Sequence, residues 1–290
     1  MRKGLTITFI IEGESANYGE GFGNITSLKK ISRGDGETYT YISRQALRYN
    51  IVQQMGCDDT QVEAMGSGSK KVIQFHPDAT IDKYPEIDLF GYMKTVKGEG
   101  AVTRSAVVRL SNAIALESYQ GDIDFLTNMG LAARIGENNS IAQSEIHKTF
   151  YTYTIAVDLD RIGIDRDIEI PKQEKIERIH MLLDTLKFLY RDIKGRRENL
   201  SPVFATGGVY KRKNPFFENR IALNRMYLDI EQIKAVLNLD EDISVNTRIG
   251  YIPNTFTNDK KIREELSPMD MKSFFEEIKK DVEAAYNEGN

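Results

Sequence analysis

Two periods of hydrophobic and polar residues alternate along the chain. Leu5-Thr6-Ile7-Thr8-Phe9-Ile10-Ile11 is short, rich in β-branched residues and followed by glycines, which predicts a first strand rather than the core of a signal peptide. Ser27–Ile31 and Thr38–Ile42 flank Gly34-Asp35-Gly36 and predict a hairpin. The period then changes. Behind Ser43, a natural N-cap, Leu47, Ile51 and Met55 recur at helical spacing until Gly56. Residues 57–101 hold no steady period and read as an insertion on the core.

Ala106–Leu110 and Ala113–Leu116 predict short strands, and residues 118–146 are polar and turn-rich. Lys148–Leu159 alternates strongly through Tyr151, Tyr153, Ile155 and Val157 and predicts a strand. Pro171 opens a helix with Ile176, Ile179, Leu183 and Leu186 on one stripe. Pro202–Tyr210 reads as a strand or loop broken by Gly207-Gly208. A helix is expected over Ile230–Leu237, and a last one after Ser267-Pro268-Met269-Asp270 that buries Phe274, Phe275, Ile278 and Val282. The main elements run strand, helix, strand, strand, helix, strand. That order predicts an α+β fold of the ferredoxin-like or RRM-like kind, with insertions, as a single domain over residues 1–290.

Composition changes this picture in two ways. A single cysteine, Cys57, excludes an internal disulfide and a cysteine-based zinc site and fits a reducing, cytoplasmic setting. No apolar run is long enough for a membrane helix. The net charge of −4 argues by itself against a nucleic-acid binder, but it averages over an asymmetry. Residues 192–225 carry eight basic against three acidic side chains, whereas residues 226–290 carry fourteen acidic against eight basic. Lys29, Lys30, Arg33, Arg44 and Arg48 form a second basic group.

Catalytic patterns are absent. His76, His147 and His180 lack metal-ligand spacing, and His147 as a general base has no identifiable partner. Asp158, Asp160, Asp165 and Asp167 cluster after a strand, where aspartates commonly form turns. Gly19-x-Gly21-x-Gly23 and Gly66-Ser67-Gly68-Ser69-Lys70 miss the dinucleotide and P-loop spacings. What remains suits a phosphate backbone. Ser43-Arg44-Gln45-Ala46-Leu47-Arg48 opens a helix whose free N–H groups attract anions, with Arg44 and Arg48 on one face. Gly207-Gly208 would admit a ligand backbone, with Tyr210, Lys211 and Arg212 just beyond.

Asn24-Ile25, Ser27-Leu28-Lys29-Lys30 and Tyr41-Ile42-Ser43-Arg44-Gln45-Ala46-Leu47-Arg48 resemble the amino-terminal signature of the Cas-seven backbone subunits of CRISPR complexes. The DevR branch, associated with type I-B systems within the RAMP superfamily, is the most similar, and Arg104–Ile114 and Gly207-Gly208 also resemble it. The resemblance implies a palm with finger and thumb elements, here residues 57–101 as finger and 118–146 as thumb, followed by an acidic helical part over 226–290. It implies a crRNA-binding protein and no enzyme or cofactor. Copies would polymerise along the guide spacer beside other Cascade subunits and present the guide to a target DNA strand, away from any membrane. Asn24, Lys29, Ser43, Arg44, Gln45, Arg48, Gly207, Gly208, Tyr210, Lys211 and Arg212 are the implied RNA-binding residues. Two alternatives stay open: an RNA-cleaving relative that uses Asp35 in an early loop, and a protein scaffold without RNA.

Overall fold

The computed structural model describes residues 3–23, 25–66, 68, 71–96, 98 and 100–288. The molecule is organised by one antiparallel sheet. Its strands, in chain order, are β1 (Gly4–Gly13), β2 (Lys30–Ser32), β3 (Thr38–Ile42), β4 (Val108–Leu110), β5 (Ala113–Ala115), β6 (Thr149–Asp158), β7 (Pro202–Tyr210) and β8 (Arg248–Tyr251). Their spatial order is β8-β7-β1-β6-β5-β3-β2, with β4 also on β6. β1 is central, with Ile7 opposite Ile155 on one side and Gly207 on the other. Three helices, α1 (Arg44–Met55), α2 (Lys172–Lys187) and α3 (Met271–Asn287), cover one face.

Strand alternation decides which face is which. Leu5, Ile7, Phe9 and Ile11 with Tyr151, Tyr153, Ile155 and Val157 point to the helices and form the main core with Leu47, Ile51, Ile179, Leu183 and Phe275. The opposite face is divided. Ile10, Phe150 and Phe204 are buried under Phe217, Ile233, Phe256 and Ile262 from the later part of the chain. Thr152, Thr154 and Ala156, farther along β6, instead line an open groove.

The expected order of the six main elements is present. The strand over Pro202–Tyr210 is unbroken and pairs with β1 and β8 on its two sides, and the closeness of its surroundings requires the glycines, because a side chain on either would collide. A Cβ on Gly207 would lie 2.1 Å from the Thr6 carbonyl oxygen, and one on Gly208 would lie 2.0 Å from that of Asn246. The acidic carboxy-terminal part adds a strand to its expected helices. It contributes β8 to the sheet edge, and α3 places Phe274, Phe275, Ile278 and Val282 in the main core. Asp270 caps α3 by accepting from the Ser273 N–H at 3.0 Å.

Residues 57–101 contain the paired strands Val62–Met65 and Val72–Phe75, the helix Pro85–Phe90, and a hairpin from Tyr92 that returns through Arg104. Residues 118–146 form the antiparallel pair Asp122–Thr127 and Ile141–Ile146, with the helix Met129–Ile135 between them. Ile141–Ile146 pairs in parallel with Ile25–Leu28. This arm is not uniformly polar: Phe125, Leu126, Leu131 and Ile135 are each at least 60% exposed.

Candidate nucleic-acid interface

The groove on the open half of the sheet is built from segments far apart in sequence. Its floor is Thr152, Thr154 and Ala156 on β6. One wall comes from Ile31, Arg33, Arg44 and residues 109–112, and the other from Lys213, Pro215, Glu218, Asn219 and Ile221. The cavity measures about 810 Å³. Among the described residues four cations and one carboxylate line it, so a chain of net negative charge concentrates positive charge over a polar sheet face. A larger cavity of about 960 Å³ lies between α1 and α2, but Glu177, Asp184 and Asp192 give it the wrong sign for phosphate.

Each cation is placed differently. Arg33 packs over the Tyr39 ring at 4.0 Å. Arg109 donates to Asp158 at 2.9 Å, and Lys213 pairs with Asp160. Burial alone would raise the Asp158 carboxyl. The hydrogen bond and charge of Arg109, helped by Lys213 and Arg161, outweigh it and hold this carboxyl below the ordinary carboxylate range. Arg44 is exposed, and its guanidinium has no hydrogen-bond or ion-pair partner among the described residues.

The start of α1 fixes Arg44. Ser43 Oγ accepts from the Ala46 N–H at 3.3 Å and donates to Asn17 Oδ1 at 3.0 Å. The Arg44 N–H donates to Asn112 Oδ1 at 2.9 Å. Two of the amides expected to attract an anion are therefore already satisfied, and the charge offered here is chiefly that of the Arg44 side chain. Gln45 is exposed beside it. Arg48 is less available: it lies 3.6 Å from Glu86 and over the Phe90 ring at 5.1 Å.

The other implied RNA-binding residues do not converge here. Gly207 and Gly208 are buried where strands and the helix Glu241–Asn246 pack closely, so close packing replaces ligand approach as the reason for the pair. Tyr210 is a correction: it is fully buried in the second core, and its hydroxyl is 2.9 Å from Thr247 Oγ1. Lys211 and Arg212 face Asp240, Glu241, Asp242 and Glu288 in another cavity, where Arg212 lies 3.8 Å from Asp240. Lys29 exchanges backbone hydrogen bonds with Asn17 and Tyr41 and does not line the groove. Asn24 lies outside the described residues.

Of the groove residues only Arg44 belongs to the implied set; those it lacks include Arg33, Arg109, Ser111, Asn112, Thr152, Thr154 and Lys213. The basic groups that hold Arg33 and Lys213 and the polar phase of β6 were the signals for them: Thr152, Thr154 and Ala156 interleave with the buried aromatic phase.

Possible catalytic groups have structural partners. Asp35 Oδ1 accepts from the Glu37 N–H at 3.0 Å and Oδ2 from the Tyr39 hydroxyl at 2.7 Å, as a turn aspartate does. His147 is buried against Thr40, with 2.8 Å between Nδ1 and Oγ1, and burial pushes its pKa down. No three His, Cys, Asp or Glu side chains come together as a metal site among the described residues. No helix among them is long and apolar enough to cross a membrane.

Residues 5–231 match the model of a family described as CRISPR-associated negative auto-regulator DevR/Csa2. The chain belongs to the DevR/Csa2 family. A relative from Myxococcus xanthus (strain DK1622), the CRISPR-associated protein Cas7/Cst2/DevR, is 32% identical over 158 residues, 49% of this chain and 52% of the relative. The match thus spans about half the length of that curated relative. Two solved structures share the fold of this DevR/Csa2 chain at low identity. A chain of a CRISPR RNA-guided surveillance complex, pre-nicking, aligns with a TM-score of 0.58 at 12% identity, over 87% of this chain and 93% of that one. A chain of another CRISPR RNA-guided surveillance complex aligns at 0.54 and 14%, over 99% and 100%.

Proposed function

We propose that the protein is a crRNA-binding backbone subunit of a Cascade-type CRISPR surveillance complex, with no chemical step of its own. Family membership supplies the setting. The observation that carries the reading is the groove, where Arg33, Arg44, Arg109 and Lys213 border the polar floor of β6. The sheet is the palm of an RRM-like fold. The order β7-β1-β6-β5, with α1 and α2 on one face, supports that reading, and the uncovered part of the opposite face, around Thr152, Thr154 and Ala156, is left for RNA. The polar groups of the floor are the short hydroxyls of Thr152 and Thr154, which do not distinguish one base from another, so the guide is held chiefly by its backbone while its bases remain for a target DNA strand.

Residues 57–101 are the finger and residues 118–146 the thumb. Phe125, Leu126, Leu131 and Ile135 suit contact with a second copy, because exposed apolar groups clustered on one arm favour association. Copies then follow one another along the spacer, beside other Cascade subunits in the cytoplasm. To test this, the chain is purified with its co-expressed partners and the bound RNA is sequenced after nuclease digestion in chelator. Regularly spaced protected spacer fragments are expected. Preparations free of RNA would favour a scaffold, and magnesium-dependent cleavage of complementary RNA that is lost in Asp35→Ala would favour a nuclease.

A further inference from the structure

Beside the groove lies a second cavity, of about 460 Å³, whose lining differs in character. Ala106, Val108, Leu110 and Phe90 give it apolar walls, and Arg44, Gln45, Arg48 and Arg109 supply the rest. Arg44, Arg109 and Leu110 line both cavities, so the two are continuous and the exposed guanidinium of Arg44 stands between them. Among the described residues no carboxylate lines the smaller cavity.

Arg48 is the informative member. Glu86 at 3.6 Å holds its head, and the Phe90 ring lies beneath it at 5.1 Å. Held between that carboxylate and that ring, and 38% exposed where Arg109 is 47%, the Arg48 guanidinium is less free than Arg109 to follow a phosphate. Its flat face is instead a surface on which another planar group can stack. A planar group that is attached to phosphates and enters an apolar cavity rimmed by arginines is a nucleobase.

We infer that this cavity is a subsite for one RNA base, stacked on Arg48 between the apolar walls, while Arg44 and Arg109 hold the phosphates on either side of it. The inference rests on the RNA-binding reading above and assigns Arg48 a role other than phosphate contact. The site takes any base. Among the described residues Gln45 is the only lining side chain that is both a donor and an acceptor, and one flexible amide does not discriminate between base edges.

The test compares two fluorescein-labelled twelve-nucleotide RNAs by anisotropy, one of uridines and one with the same ribose-phosphate backbone and no bases. Stacking one base changes affinity by about fivefold or more, so the full chain is expected to prefer the uridine RNA by at least that factor. Ala106→Leu fills the cavity and is expected to bring the ratio of the two affinities close to one. Arg48→Lys keeps the charge beside Glu86 but removes the flat face, and it is expected to do the same, which covers the case in which Ala106→Leu fails to fold. Equal affinity of the unaltered chain for both RNAs would overturn the base subsite and leave the phosphate groove standing. A preference that survives both substitutions would place base stacking elsewhere and overturn it too. Failure to bind either RNA would instead overturn the RNA-binding reading itself.

Discussion

Arg104 and Arg44 carry the same side chain in opposite situations. Arg104 sits at the base of the insertion, buried, and donates to Asp88 Oδ1 at 2.7 Å and to the Arg161 carbonyl at 3.0 Å. Arg178 reaches the other Asp88 oxygen at 2.9 Å, and the Gly163 N–H donates to the same carboxylate. Asp88, Arg104 and Arg178 are all buried and ion-paired, although the Arg178 Nε–H has no acceptor among the described residues. Arg44 stands in the open at the groove wall without a counter-ion among the described residues. The difference teaches that positive charge alone marks neither fold nor function. A buried, paired arginine holds two parts of the chain together, whereas an exposed one, positioned by a helix cap and left unpaired, is available to a ligand.

The comparison breaks first at Asp88. Asp88→Asn leaves Arg104 and Arg178 buried without their shared charge, and loss of one partner of a buried pair costs about 3–5 kcal/mol. A melting temperature lower by about 10 °C is expected by calorimetry, and an unchanged value would show that the cluster does not hold the insertion. Arg44→Ala should behave in the opposite way. Its stability stays within about 0.5 kcal/mol of the parent, while RNA affinity falls at least about tenfold, because a charged hydrogen bond contributes about 1.5–3 kcal/mol. Thermal melts and filter binding on one preparation separate the two effects.

Ser43→Ala tests the support beneath Arg44. The cap bond to Ala46 disappears, and denaturant unfolding should show a loss of about 1 kcal/mol. The smallest effect concerns His147. Burial lowers its folded-state pKa, so the unfolded chain binds a proton more readily. Its contribution to stability is therefore complete above the unfolded value near about 6.5 and declines as pH falls below it. Melting temperatures measured from neutral pH downward should fall less steeply in His147→Gln than in the parent. Parallel profiles would remove His147 as the source of the slope.

The main strands and helices were legible because each repeats its period over many residues. Ser43, Leu47 and Ile51 identify α1 from cap to core, and Tyr151, Tyr153, Ile155 and Val157 identify the buried phase of β6. β8 was missed because four residues at a sheet edge carry too short a pattern. Tyr210 was misplaced because a glycine pair next to a basic run reads as a ligand loop. The physical requirement lay in backbones 200 residues apart, at Thr6 and Gly207, which no local pattern reveals. The groove shows the same limit. Arg33, Arg109 and Lys213 come together only through strand order and loop packing, so basic clusters along the chain pointed toward Lys211 and Arg212 while their neighbour Lys213 faces the groove.

Salt dependence tests the central claim most directly. Binding of a labelled single-stranded RNA is measured by anisotropy over a range of salt concentrations for the parent and for Arg44→Ala, Arg109→Ala. Each phosphate contact with a single strand contributes about 0.7 to the slope of log affinity against log salt. The parent should therefore show a steep negative slope, and the double variant should be weaker and shallower by about 1.4. An identical slope and affinity in the two proteins would contradict the account and place the RNA away from the open face of the sheet.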